Sequence, residues 1–247
     1  MFLLDEQVGG VRVAFTDRHG GLSEGAASSL DLGTRSGGDP ELVTGNFRRL
    51  AGALGVDVGQ LVTMRQVHGD NVITLDAVPD SPPEADALVT RTPGLVLLAR
   101  AADCVPVVLA DPVAGVAAVA HAGRVGMASG VVPAAVAAAR GLGAGTDLRA
   151  WIGPRACGRC YEVPEQMRAE VARIESQAWS TTSWGTPAID VAAGVLAQLN
   201  RLGVPADDIA DRLSLDRACT VESDDLFSYR RQGPHAGRQA GLVYLQP

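Results

Sequence analysis

The chain has no lysine: all 21 of its basic residues, in a length of 247, are arginine. That absence excludes a Schiff-base lysine and with it ordinary pyridoxal-phosphate chemistry. It also excludes a Walker-type phosphate loop, whose lysine reaches the terminal phosphates. Any phosphate has to be held by arginine, backbone amides or a metal ion. Aromatic residues make up only 4%, too few for a base-stacking surface of the single-strand-binding kind. The net charge of −7 argues against a nucleic-acid partner, which needs a basic face, and leaves room only for a local basic pocket. Four cysteines do not make a disulfide scaffold in so long a chain. No apolar run approaches the length of a membrane span. The start, Met1-Phe2-Leu3-Leu4-Asp5-Glu6, turns acidic where a signal peptide would be basic. A reducing, cytoplasmic setting without a membrane partner is expected.

What is present is a core. Hydrophobic residues make up 47% and charged residues 20%, which suits a folded chain with a real core. No repeat and no shift of composition divides the chain, so one domain over 1–247 is expected. Val11, Val13 and Phe15 alternate with other residues as in a half-buried strand. The Gly-rich stretch 16–23 carries Arg18 and His19 and reads either as a plain turn or as a loop over a site. Asp39-Pro40 opens a helix as N-cap and first residue; Val43, Phe47, Leu50, Ala51 and Leu54 form its stripe, and Gly55 ends it. Strands are expected at 61–67 and 72–75, with His68 at the hairpin or strand end between them, then at 86–90, 95–100, 104–110 and 116–121. A helix over 129–140 is capped by Ser129. A strand at 150–152, helices over 164–179 and 190–202, and strands at 213–215 and 242–245 complete the pattern.

Three motifs carry chemistry. His68 in Gln66-Val67-His68-Gly69, Cys104 in Ala102-Asp103-Cys104-Val105-Pro106 and His121 in His121-Ala122-Gly123 each stand beside a turn at the end of an apolar run. Two imidazoles and a thiol suit a zinc site with an open fourth position. They suit a Cys/His hydrolytic pair as well, while the spacing alone favours a buried cysteine and two unrelated histidines. Cys157-Gly158-Arg159-Cys160 reads as a redox dithiol, as half of a zinc site needing partners such as Cys219 and His235, or as two thiols in a loop. Phe227-Ser228-Tyr229-Arg230-Arg231 and Gly237-Arg238-Gln239-Ala240 form a basic cluster in an acidic chain, either a solvated surface or an oxyanion clamp.

Taken in order, these motifs, together with Gly153-Pro154 and Cys160-Tyr161-Glu162-Val163, resemble the signature of one family. It is the laccase-domain, or multicopper polyphenol oxidase-like, family of purine nucleoside phosphorylases, which includes the bacterial peptidoglycan editing factor. The resemblance runs from about Phe15 to Leu245. It implies a single-domain four-layer α/β/β/α sandwich shared with cysteine hydrolases. It implies zinc held by His68, Cys104 and His121, with copper as second choice; a true multicopper oxidase needs about ten His and Cys ligands, and this chain has four of each. The implied activities are phosphorolysis of adenosine, inosine and methylthioadenosine, and deamination of adenosine. The partners are then a purine nucleoside and phosphate, and a homodimer is compatible. Cys104, His121, His68 and Asp103 are the expected catalytic residues, with Asp103 either orienting a ligand histidine or acting as acid/base. Arg65, Arg124 and Arg231 are the expected phosphate holders. Two alternatives stay open: a Cys/His hydrolase editing an amide in a cell-wall precursor, and a non-catalytic metal-binding domain with a fourth protein ligand such as Cys160. Two arginines depart from the family pattern. His-Ala-Gly-Trp-Arg-Gly is here His121-Ala122-Gly123-Arg124-Val125-Gly126, and Asn-Arg in the first helix is Asn46-Phe47, with Arg48 one place later.

Overall fold

The computed structural model describes residues 1–34 and 39–246. Along the chain the strands are β1 (Phe2–Val8), β2 (Val11–Thr16), β3 (Leu61–Val62), β4 (Val72–Leu75), β5 (Ala87–Thr90), β6 (Val96–Ala101) and β7 (Val105–Asp111). They continue as β8 (Val116–Ala122), β9 (Arg149–Ile152), β10 (Trp179–Thr181), β11 (Pro187–Ile189), β12 (Ala206–Asp208) and β13 (Gln239–Leu245). The helices are α1 (Pro40–Leu54), α2 (Arg124–Ser129), α3 (Val131–Gly141), α4 (Glu165–Ile174), α5 (Val191–Arg201), α6 (Ile209–Leu213), α7 (Leu215–Ala218) and α8 (Tyr229–Gln232). One sheet has the order β1-β2-β13-β6-β3 and a second the order β12-β9-β7-β8-β5-β4, while β10 and β11 pair apart.

The period-2 alternation of side chains builds the layers. On β7, Val105, Val107 and Leu109 join the core beneath α3 and α5, while Val108 and Ala110 turn to the other sheet. On β8, Val116, Ala118 and Ala120 face the helices, and Ala117 and Val119 face the sheet. In the first sheet, Val13 and Phe15 of β2 and Val243 of β13 point between the sheets, and Ala14 and Leu242 point to α1. The order is helix, sheet, sheet, helix, the α/β/β/α arrangement that the resemblance implies. No helix among the described residues is long and apolar enough to cross a membrane.

Helix α1 has the expected ends: the Asp39 carboxylate accepts from Glu41 N–H, and Gly55 closes it in the left-handed conformation. Other expectations fail for identifiable reasons. Only Leu61–Val62 of 61–67 is strand, because Gln66 replaces the ladder with its side chain: its amide donates to Arg100 O at 2.7 Å and accepts from Arg100 N–H at 3.1 Å. The chain then crosses to the other sheet, so 61–67 and 72–75 are not a hairpin. The helix expected over 129–140 is present as α3, but it starts after Gly130, whose φ is +98°, and Ser129 ends the separate helix α2 instead of capping it. The helix over 164–179 stops at Ile174, and Trp179 begins β10. Residues 213–215 lie in the helical turns α6 and α7, not in a strand.

The glycine of Gly153-Pro154 is a packing requirement. A Cβ there would lie 2.7 Å from Pro106 Cγ and closer to the Phe15 ring. Gly153→Ala is therefore expected to destabilise by about 1–3 kcal/mol, the usual range for overpacking a filled core, read from the urea midpoint. An unchanged midpoint would show that the Phe15 ring has room to move.

Candidate active site

His68, Cys104 and His121 come together, with one ligand atom of each lying within 4.8 Å of the others. His121 is at the end of β8 and 3% exposed, which buries an imidazole among apolar strands. It is paid for by Asp86, whose Oδ1 lies 2.9 Å from His121 Nδ1. That bond places the proton on Nδ1 and leaves Nε2 as the nitrogen available for ligation. His68 lies on the link from β3 to β4 with φ +63°. The left-handed turn brings three successive N–H groups onto the same carboxylate: Val67 at 3.2 Å, His68 at 3.0 Å and Gly69 at 2.7 Å. Asp86 thus holds one histidine by its ring and the other by its backbone. The two rings meet edge to face at 4.8 Å.

Cys104 follows Asp103 on the link from β6 to β7. Asp103 has φ +96°, a costly conformation for a residue with a Cβ. It is held there: Ala156 N–H donates to its carbonyl at 2.9 Å, and its carboxylate accepts from Thr220 Oγ1 at 2.6 Å and Arg230 N–H at 2.7 Å. Gly123 leaves space for the cluster, since a Cβ there would meet His68 Cδ2 at 3.0 Å and Cys104 Sγ at 3.1 Å.

The electrostatics follow from this geometry. Burial pushes the Cys104 thiol up, but His121 and His68 outweigh it and bring it down to about 6. Burial pushes His121 down, but the Cys104 thiolate and Asp86 raise it to about 9. For Asp86, burial acts upward and is outweighed by His121 and the Gly69 and Val67 N–H groups, which hold it below the usual carboxylate range. In metal-free protein, alkylation of Cys104 by iodoacetamide should therefore reach half its plateau rate near pH 6, against about 8.5 for an ordinary thiol. Mass spectrometry of the modified peptide across pH measures this; a half-point at 8 or above would contradict the pairing.

The cluster opens into a cavity of about 680 Å³. Arginines 65, 100, 124, 230 and 238 line it, along with Met64, Pro82, Tyr161 and Tyr229.

A family model described as multi-copper polyphenol oxidoreductase laccase matches residues 12–246. The chain belongs to that family. Among the relatives of this laccase-family chain, a purine nucleoside phosphorylase of Streptomyces coelicolor is 54% identical over 97% of this chain and 98% of its own. One of Corynebacterium glutamicum is 42% identical over 98% and 97%. Crystal structures of a Neisseria meningitidis protein and of YlmD from Geobacillus stearothermophilus superpose with TM-scores of 0.86 and 0.85, each at 29% identity. The first covers 100% of this chain and 99% of its own, the second 96% and 93%.

Within the laccase-family chain, the residues singled out from sequence divide clearly. His68, Cys104 and His121 converge, as a donor set that could hold a metal ion. Asp103 lines the cavity but bonds Thr220 and Arg230, so it does not orient a histidine; Asp86 does, and the motifs did not point to it. Its signal is a carboxylate at the head of the fully buried run Ala87–Thr90. Arg65 lines the cavity and is paired with Glu84. Arg124 also lines it, and among the described residues no ion-pair partner meets it. Where the family pattern has Trp-Arg, Arg124 lines the cavity and Val125 is exposed. Arg231 does not line the cavity: its guanidinium binds Asp224 at 2.8 Å and Leu226 O at 2.6 Å. Its neighbour Arg230 lines it instead. Arg48 is on the exposed side of α1, and Asn46 is buried, donating to Ser23 Oγ and to the Ser29 and Asp31 carbonyls. Arg18 and His19 bind loop carbonyls and Asp225 and are not among the cavity-lining residues, so stretch 16–23 is a structural turn. Cys160 belongs to a different cluster, with Cys157, Cys219 and Glu222; His235 is not part of it.

Proposed function

We propose that the chain is a zinc-dependent purine nucleoside phosphorylase acting on adenosine, inosine and methylthioadenosine, and able to deaminate adenosine. The observation that supports it is the union, in one cavity of nucleoside size, of a His₂Cys donor set with Arg124, a lining arginine that among the described residues has no ion-pair partner. The donors suit zinc: one thiolate, two neutral imidazoles, and Asp86 fixing the tautomer of one. Bound there, the metal would supply Lewis acidity and lower the pKa of a water. Arg124 holds phosphate through its two parallel N–H groups. Arg65 is already neutralised by Glu84 and serves less well. Phosphorolysis joins a phosphate oxygen to C1′ as the bond from C1′ to the purine N9 breaks, and a proton passes to the leaving base. Asp103, held by Thr220 and Arg230 in the cavity wall, would relay that proton. Tyr161 and Tyr229 give the base an apolar wall. In deamination water takes the place of phosphate, adds at C6, and ammonia leaves.

The test is turnover with metal content. Wild type, His68→Ala and Cys104→Ala are given adenosine with and without phosphate, and adenine and inosine are measured alongside zinc per chain. The zinc of this cavity, one per chain relative to wild type, lost together with product in both variants, with adenine formed only when phosphate is present, is the expected result. Zinc bound without nucleoside turnover would overturn the substrate assignment. Arg124→Ala is expected to raise the phosphate KM about 10-fold or more, the scale of one charged hydrogen-bonding pair, with zinc unchanged.

One observation favours a second reading. Cys104, His121 and Asp86 form a nucleophile, base and orienter in series, which suits attack by the thiolate on an amide such as that of a cell-wall precursor. Hydrolysis that survives zinc removal and is stopped by iodoacetamide would select it.

A further inference from the structure

Away from the cavity, the fold completes the Cys-x-x-Cys of the sequence in a way that spacing did not suggest. Cys219, at the end of α7, joins Cys157 and Cys160, and Glu222 reaches the same point; one ligand atom of each of the four lies within 4.8 Å of the others. We propose that Cys157, Cys160, Cys219 and Glu222 form a second metal site, structural rather than catalytic, that holds zinc.

Four observations carry it. The donor set is complete: three sulfurs and one carboxylate make a closed tetrahedral shell, and soft thiolates select zinc over hard cations. A Zn–S distance of ~2.3 Å puts sulfurs ~3.8 Å apart in a tetrahedron, so closing on an ion needs shifts of about 1 Å or less. The three thiols are buried and the Glu222 carboxylate is 32% exposed, which leaves one solvent-facing ligand and a route in. Two of the three sulfurs already accept backbone hydrogen bonds. Cys157 N–H donates to Cys219 Sγ at 3.5 Å, and the Arg159 and Glu222 N–H groups serve Cys157 and Cys219. The Arg159 guanidinium lies 3.6 Å from Glu222 and bonds Cys157, offsetting the negative charge of the shell.

The setting explains why a metal would be useful. Among the described residues, these three cysteines are the buried members of a small cluster separate from the main cores, with Leu215 and Val221 at its edge. So little apolar area stabilises weakly, yet the region supports the cavity. Arg155 and Cys219 are bridged as in a sheet, Thr220 N–H donates to Arg155 O at 2.9 Å, and Thr220 Oγ1 holds Asp103. Tyr161, next to Cys160, lines the cavity and carries Arg230 stacked at 4.6 Å. An ion here would fasten the 153–163 loop to the 214–223 segment behind Asp103.

The proposal does not depend on a metal at His68, Cys104 and His121, and the test separates them. Full-length His68→Ala/Cys104→Ala protein, purified without chelator, is expected to keep one zinc per chain. It has three remaining thiols, and titrating these with a mercurial in the presence of a zinc indicator should release that zinc as they react. Cobalt(II) in the same protein should give thiolate-to-cobalt charge-transfer bands, absent after Cys160→Ser/Cys219→Ser. Glu222→Gln, which keeps all three thiols, should weaken zinc at least 10-fold in chelator competition. Thiols that titrate without releasing metal, or a Cys157–Cys160 disulfide in freshly isolated protein, would overturn the proposal. If wild type and the double variant both carry one zinc, this site is upheld and the zinc of the cavity is not.

Discussion

Asp86→Asn is expected to weaken metal binding by roughly 10–100-fold, the usual effect of removing the partner of a ligand histidine, and to destabilise the fold by about 3–5 kcal/mol, as breaking a buried pair does. The carboxylate accepts four hydrogen bonds, from the His121 ring and from the Val67, His68 and Gly69 backbone. Asparagine offers one acceptor oxygen, and its NH₂ faces N–H donors that then have no partner. The pH dependence has a definite sign. Asp86 is held below its ordinary value in the folded protein, so its stabilisation is fully present above the unfolded carboxylate pKa of about 3.9. It is lost as pH falls through the depressed folded value. Wild type should therefore lose stability on acidification more steeply than Asp86→Asn. Urea unfolding at neutral and acid pH, with chelator competition at pH 7, measures both effects; wild-type zinc affinity in the variant would remove Asp86 from the site.

Gly123→Ala is expected to abolish the metal site while leaving the fold intact. Gly123 has φ −75° and ψ 173°, extended backbone that alanine adopts freely. Its added methyl group has no such freedom, standing 3.0 Å from His68 Cδ2 and 3.1 Å from Cys104 Sγ. Either ligand must yield by a few tenths of an ångström, and metal sites tolerate about 0.2 Å. We expect turnover to fall about 100-fold, the scale of a misplaced reacting group, with a melting temperature within a few degrees of wild type. A folded variant with full zinc and full activity would show that the ligands close from another direction.

Much of this arrangement was legible in the residues. The buried strands declared themselves as apolar runs between turns, and α1 showed both its caps. Which sheet each strand joins was not legible, because periodicity fixes the face of a strand and not its neighbour. Gln66 conceals the change of sheet by imitating a strand with its side chain. The three residues that come together as a donor set, His68, Cys104 and His121, were singled out by their motifs. Asp103 was given the work of Asp86 because it adjoins Cys104, and adjacency along the chain says nothing about direction once φ is positive. Arg230 and Arg231 show the same limit: successive residues of a helix point about 100° apart, so one lines the cavity and the other binds Asp224.

His68 and Cys104 stand on the links β3 to β4 and β6 to β7, where the chain passes from the first sheet to the second, and His121 lies near the end of a strand of the second. No ligand pair is local, so no part of this donor set exists until both sheets have formed and closed on each other. In a small zinc domain the ion gathers an unfolded chain and its binding energy is folding energy. Here the order is reversed: the protein must fold before this donor set can take a metal ion, so a chelator should leave the sandwich that builds it folded.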